Sequence, residues 1–160
     1  MKLFLKRDNL EDGAGFTVFN QSGYSKYNVR IITEKTKQRI IISRTNDPVS
    51  EIIYKELVIR YFTVRCRGRV YILVPGFKDC FTFVIYGSTY RFAGDIASGR
   101  FSLFDVDKSP VMNQKKCWGK YGDGYELEIY DNEQEYFSVS VAVCAAMYVS
   151  AVESSALRFE

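Results

Sequence analysis

Seventeen residues from Tyr136 to Val152 carry no charge, and this run constrains the fold more than any other part of the chain. Drawn as a helix, it is apolar or small on every face. A helix of that kind is buried either in protein or in lipid. Asn132 is placed to cap it, with Glu135 three residues on as in a capping box. Glu133 and Glu135 also suit the positive end of the helix dipole. These signals place a helix over Asn132–Val152. Its length is at the lower limit for a membrane span of ~17–25 residues. Three serines dilute it, Glu153 follows at once, and no basic cluster flanks either end. The reading favoured is a helix buried in protein, not transmembrane.

What precedes it supplies the burial. From Lys2 to about Tyr130 the chain reads as short strands broken by turn residues. Phe16–Phe19 runs into Asn20-Gln21-Ser22-Gly23, and Ile40–Ile42 into Thr45-Asn46-Asp47-Pro48. Arg60–Cys66 turns at Arg67-Gly68 into Val70–Val74, and Phe81–Tyr86 turns at Gly87-Ser88. Phe101–Val106 turns at Asp107–Pro110, and Gly124–Tyr130 closes the series. Roughly a dozen strands at hairpin spacing signal a sandwich or barrel. A barrel of about eight strands is filled by its own side chains, and a wider one leaves space. A slim helix of Ala, Ser, Cys and Val would fill that space. The fold expected over residues 1–160 is one mainly β domain: a closed barrel of about twelve strands around a central, hydrophobic C-terminal helix. Twelve Tyr and twelve Phe suit such strands.

A weak internal repeat points to pseudo-symmetry. Arg39–Ile42, a polar turn and Pro48-Val49 are echoed by Arg100–Leu103, a polar turn and Pro110-Val111. Tyr27 and Tyr90 precede the two units at similar distances.

Composition narrows the chemistry. There are no histidines, which excludes Ser-His-Asp and Cys-His pairs and His-based zinc sites. Cys66, Cys80, Cys117 and Cys144 include no C-x-x-C pair, so neither a zinc cluster nor a redox motif is indicated. They read as reduced thiols of a cytoplasmic protein. The apolar stretch near Met1 is too short for a signal peptide. A net charge of +3 argues against a dedicated nucleic-acid binder. No cofactor or metal site is indicated.

Three groups remain as candidate sites. Arg65, Arg67 and Arg69, with Arg60 and Lys55 nearby, bracket the Arg67-Gly68 turn. Guanidinium forks suit phosphate, so these three are the candidate contact for anionic lipid headgroups; the plainer reading is solvating charge that discourages edge pairing. Glu126 and Glu128 share a strand face about 7 Å apart, a spacing within the range of inverting glycosidases, or else form an outward polar face. Trp118, the only tryptophan, is either an interface anchor or a residue closing the core. Gly119, Gly122 and Gly124 read as a turn, because a strand and not a helix follows them.

The ordered set of motifs resembles the LURP-one-related branch of the tubby C-terminal-like superfamily. Phe16–Gly23 followed by Tyr27-Asn28-Val29 is similar to that family's opening hairpin. Lys115–Ile129, with Lys115-Lys116 leading through an aromatic stretch and Gly122-Asp123 to Tyr125-Glu126-Leu127-Glu128-Ile129, is similar to its late signature. The resemblance implies a twelve-stranded barrel around a C-terminal helix, shared with tubby domains and phospholipid scramblases. It also implies kinship with proteins that handle lipid. The function expected is a non-enzymatic binding module in the cytoplasm or at membrane surfaces, contacting anionic phospholipid headgroups or a protein partner. The alternatives are a lipid-scrambling protein and a hydrolase using carboxylates alone.

Overall fold

A computed structural model describes residues 1–8, 15–56, 58–77, 80–119 and 122–158. Twelve strands run in sequence order: β1 Lys2–Arg7, β2 Gly15–Asn20, β3 Ser25–Thr33, β4 Lys37–Arg44, β5 Asp47–Glu56 and β6 Arg60–Cys66. They continue with β7 Arg69–Phe77, β8 Phe81–Tyr86, β9 Arg91–Asp95, β10 Arg100–Phe104, β11 Pro110–Gly119 and β12 Gly122–Ile129. A 3-10 turn over Asn132–Gln134 leads into helix α1, Glu135–Arg158. Each strand pairs antiparallel with its chain neighbours, and β1 pairs with β12 to close the barrel.

Alternation turns one side of the strands inward. Leu3 and Leu5, Ile40 and Ile42, Phe62 and Val64, and Leu127 and Ile129 are buried, while the residues between them are not. Closure leaves the sheet no free edges, which removes the usual route to strand-mediated association. At Gly94 a Cβ would collide with the Arg100 carbonyl and the Phe101 ring, so the narrow β9–β10 approach requires glycine.

The helix fills the barrel as expected. Val139, Val141, Ala142, Val143, Cys144 and Ala145 are completely buried. The helix is long and apolar enough to cross a membrane, but its apolar surface is spent on the barrel wall. Phe137 packs on Tyr71 with ring centres 4.4 Å apart. Further down the barrel, Tyr148 stacks on Phe81 at 5.3 Å inside a cluster with Phe83, Phe92 and Phe101. Ser140 Oγ lies 2.7 Å from Ser50 Oγ and donates to the Tyr136 carbonyl at 2.7 Å. Gln114 donates to the Ala142 carbonyl at 3.3 Å.

The internal repeat has structural counterparts in the barrel. Its copies are β4–β5 and β10–β11, six strands apart and so on opposite sides of a twelve-stranded barrel. Each copy has a bulge next to its turn, at Ile42/Ser43 and at Leu103/Phe104, and in each a proline within the first two residues of the second strand lies opposite that bulge, Ser43 facing Pro48 and Phe104 facing Pro110. Tyr27 on β3 and Tyr90 just before β9 are also six strands apart. They meet successive helix residues, Tyr136 at 6.1 Å and Phe137 at 5.5 Å.

The start of the helix differs from expectation. Asp131, not Asn132, is the cap, its side chain accepting from the Glu133 amide at 3.1 Å. The extra 3-10 turn moves Glu135 away from a capping-box position. Its carboxylate accepts instead from the Tyr27 hydroxyl at 2.7 Å and pairs with Lys26 at 2.5 Å. A buried tyrosine hydroxyl and an ammonium outcompete a backbone amide for a carboxylate, because the charged partner strengthens the bond.

Candidate functional site at the rim of the barrel

In an antiparallel meander the turns alternate between ends. Five turns, β2–β3, β4–β5, β6–β7, β8–β9 and β10–β11, fall at the end where the helix begins, here called the upper rim. Contacts confirm this placement. Arg67 in the β6–β7 turn donates to the Glu133 carbonyl at 2.5 Å. At the lower end, Arg7 donates to Ser150 at 2.6 Å and Lys116 lies 3.9 Å from Glu153.

The three candidate arginines are all exposed but do not form one cluster. Arg67 and Gly68 take positive φ of 53° and 74°, the geometry of a tight hairpin turn. The turn swings Arg67 inward, where its guanidinium also stands 5.7 Å from the Tyr136 ring centre. Arg69 opens β7 on the rim and is close enough to Tyr90 to oppose the rise in that phenol's pKa, which burial drives. Arg65 points outward on the wall, opposite Glu51 of β5. Arg60 is at the lower end, paired with Glu56 at 2.8 Å. Strand parity separates Arg65 from its neighbours, and turn geometry commits Arg67 to the helix.

Both ends carry matched and unmatched cations. At the lower end Lys37, Arg39, Arg60 and Lys116 each have a carboxylate within 4.0 Å, while Lys6, Arg7, Lys35, Lys55 and Arg100 have none among the described residues. At the upper rim Arg44, Arg67, Arg69, Arg91 and Lys108 have none among the described residues. Large apolar side chains accompany them: Tyr24 and Val106 are each 72% exposed at the tips of the β2–β3 and β10–β11 turns, and Tyr86 and Tyr130 also face solvent. The lower end presents Val58 and Ile59 in the same way. The upper rim has acids too: Asp47, Asp105 and Glu133 lie there, Asp131 caps the 3-10 turn, and Asp107 is held below the usual carboxylate range by hydrogen bonds from Ser109 and so stays ionised.

A cleft of about 470 Å³ opens on this rim between β1 and the β2–β3 and β4–β5 turns. Lys2, Lys26 and Arg44 line it together with Ser22, Ser25 and Thr45, and no carboxylate among the described residues does. Sequence reasoning missed it. The signal was present in the meander itself, which puts the Asn20–Gly23 and Thr45-Asn46 turns side by side at one end.

Glu126 and Glu128 do share the outer face of β12. Glu126 sits between Lys2 at 3.3 Å and Lys115 at 3.5 Å. The groove beside the pair holds about 230 Å³, below the roughly 300 Å³ at which small-molecule sites begin. The Trp118 side chain lies outside the described residues. All four cysteines are free, Cys66 and Cys144 buried and Cys80 exposed. Among the described residues, no group of three or more metal-ligating side chains gathers.

Compared with models of protein families, with curated proteins and with solved structures, the chain matches none.

Proposed function

We propose that the chain is a non-enzymatic binding module that docks its upper rim on anionic phospholipid headgroups, as a cytoplasmic protein peripheral to membranes. One observation carries this reading: cations without carboxylate partners share the rim with exposed tyrosine and valine at its turn tips. Such a surface suits a bilayer interface, where aromatic rings sit at headgroup level and basic residues meet negative potential. The resemblance to the LURP-one-related family, kin to lipid-handling folds, points the same way. The apolar helix contributes no anchor, being enclosed by the barrel.

Sedimentation with vesicles tests the proposal. Binding should require anionic lipid and weaken as salt screens the charges. Each basic residue near such a surface is worth roughly 1 kcal/mol. Replacing Arg69 and Lys108 with Gln should therefore weaken binding about thirtyfold if the effects add. Arg65→Gln, on the wall, should change it little. If neutral and anionic vesicles are ignored alike, the headgroup reading fails and a protein partner replaces it.

A further inference from the structure

The geometry points to a discrete phosphate-monoester site in the cleft between β1 and the β2–β3 and β4–β5 turns, with Arg44 as its principal ligand. The site is distinct from the diffuse attraction of the whole rim, and a soluble phosphate ester would occupy it without any membrane.

Three features support it. First, the cleft's cations are not fully neutralised. Lys2 shares Glu126 with Lys115, two ammonium groups against one carboxylate. Lys26 is matched by Glu135. Arg44 faces the Tyr136 hydroxyl and feels the Glu135 charge, but has no carboxylate within 4.0 Å among the described residues. The local balance is therefore positive, and one cation is a guanidinium, whose planar fork takes two phosphate oxygens at once.

Second, the remaining lining supplies neutral donors. Ser22, Ser25 and Thr45 bring hydroxyls to the same cleft. Hydroxyl donors beside a guanidinium suit a phosphate ester carrying further hydroxyl groups better than a bare apolar anion. At about 470 Å³ the cleft lies within the ~300–1,000 Å³ range of small-molecule sites.

Third, the walls are fixed in place. Thr45 and Asn46 hold positive φ of 49° and 65°, a costly conformation for residues other than glycine that this two-residue turn requires. On the facing turn, the Asn20 side chain accepts from the amides of Ser22 and Tyr24, both at 3.0 Å. Two braced turns hold Arg44 and Ser22 across the cleft, so little ordering remains to oppose binding.

The test is a titration of the isotope-labelled full chain with inorganic phosphate and with glycerol 3-phosphate, followed through backbone amides. Saturable shifts confined to the Asn20–Lys26 and Arg44–Asp47 segments are expected. Binding should tighten as pH rises through the second phosphate ionisation, near 6 for an ester. Arg44→Gln should weaken it at least tenfold, and the side chain is exposed, so the variant should keep the wild-type spectrum elsewhere. Shifts spread over Arg65, Arg91 and other surface cations, no saturation, or an unchanged Arg44→Gln titration would overturn the site. Vesicle sedimentation separates the two sources of phosphate. Soluble esters binding while anionic vesicles do not would leave the site standing and sink membrane docking. Vesicles binding wild type and Arg44→Gln equally, with no response to soluble esters, would sink the site and leave docking intact.

Discussion

The Tyr27 hydroxyl donates to Glu135 Oε1 at 2.7 Å, joining the third strand to the first residue of the helix. Lys26 holds the same carboxylate from the neighbouring position. The barrel thus grips its helix where the chain enters, at the upper rim.

Tyr27→Phe should cost about 1.5 kcal/mol, the low end for a hydrogen bond to a charged partner, because Lys26 remains to satisfy Glu135. Urea denaturation should show a lower midpoint at unchanged slope. A loss under ~0.3 kcal/mol would show that the bond does not anchor the helix.

Alkaline pH should unfold the protein through its tyrosines. Burial, with a smaller contribution from Glu153, pushes the Tyr125 phenol up to about 12. Burial and then Glu135 push Tyr27 up further. In the unfolded chain both ionise near 10. The folded state then holds more protons than the unfolded one, so this stability is complete below about pH 10 and is lost as pH rises towards 12. Each such proton steepens the fall by about 1.4 kcal/mol per pH unit. Tyr125→Phe should make urea-derived stability between pH 9 and 11 decline less steeply, and an unchanged slope would remove Tyr125 from the account.

Val143 is completely buried in the middle of the helix. Val143→Asp should cost more than about 4 kcal/mol, since an unpaired carboxylate would enter a dry core. Val143→Ala should cost only about 1–2 kcal/mol. Comparable losses from the two variants, read from thermal unfolding, would mean that the helix is not enclosed.

Thiol labelling reads the same enclosure. Cys80 is exposed and should react within the native protein. Cys144 should not, because it is wholly enclosed and burial pushes its thiol far up. Burial also raises the Cys66 thiol, which should lag Cys80. All four should react in denaturant, and a disulfide there would contradict the free thiols.

The barrel and its plug were legible because both rest on periodicity. Alternation such as Leu3–Leu5 or Leu127–Ile129 fixes a strand and its inner face, and an uncharged run such as Val139–Ala146 demands burial, which a dozen surrounding strands can supply. The repeat was readable too, because Pro48 and Pro110 each stand within the first two residues of the second strand of a bulged hairpin. The site was harder. Sequence proximity grouped Arg65, Arg67 and Arg69, but period-2 alternation sends Arg65 to the wall and the turn sends Arg67 to the helix. Lys26 and Arg44 lie eighteen positions apart, and only the meander brings them to one cleft. The capping box failed for a related reason, since Glu135 found Tyr27, 108 residues away in sequence.

The orientation of the bound protein tests membrane docking most directly. In a Cys80→Ser background, an environment-sensitive fluorophore would be placed at residue 24, on the upper rim, or at residue 58, fully exposed at the lower end. With anionic vesicles, the probe at 24 should shift to the blue and be quenched by lipid-borne quenchers, while the probe at 58 should behave as in water. Equal responses at both ends, or a response at 58 alone, would contradict docking through the upper rim.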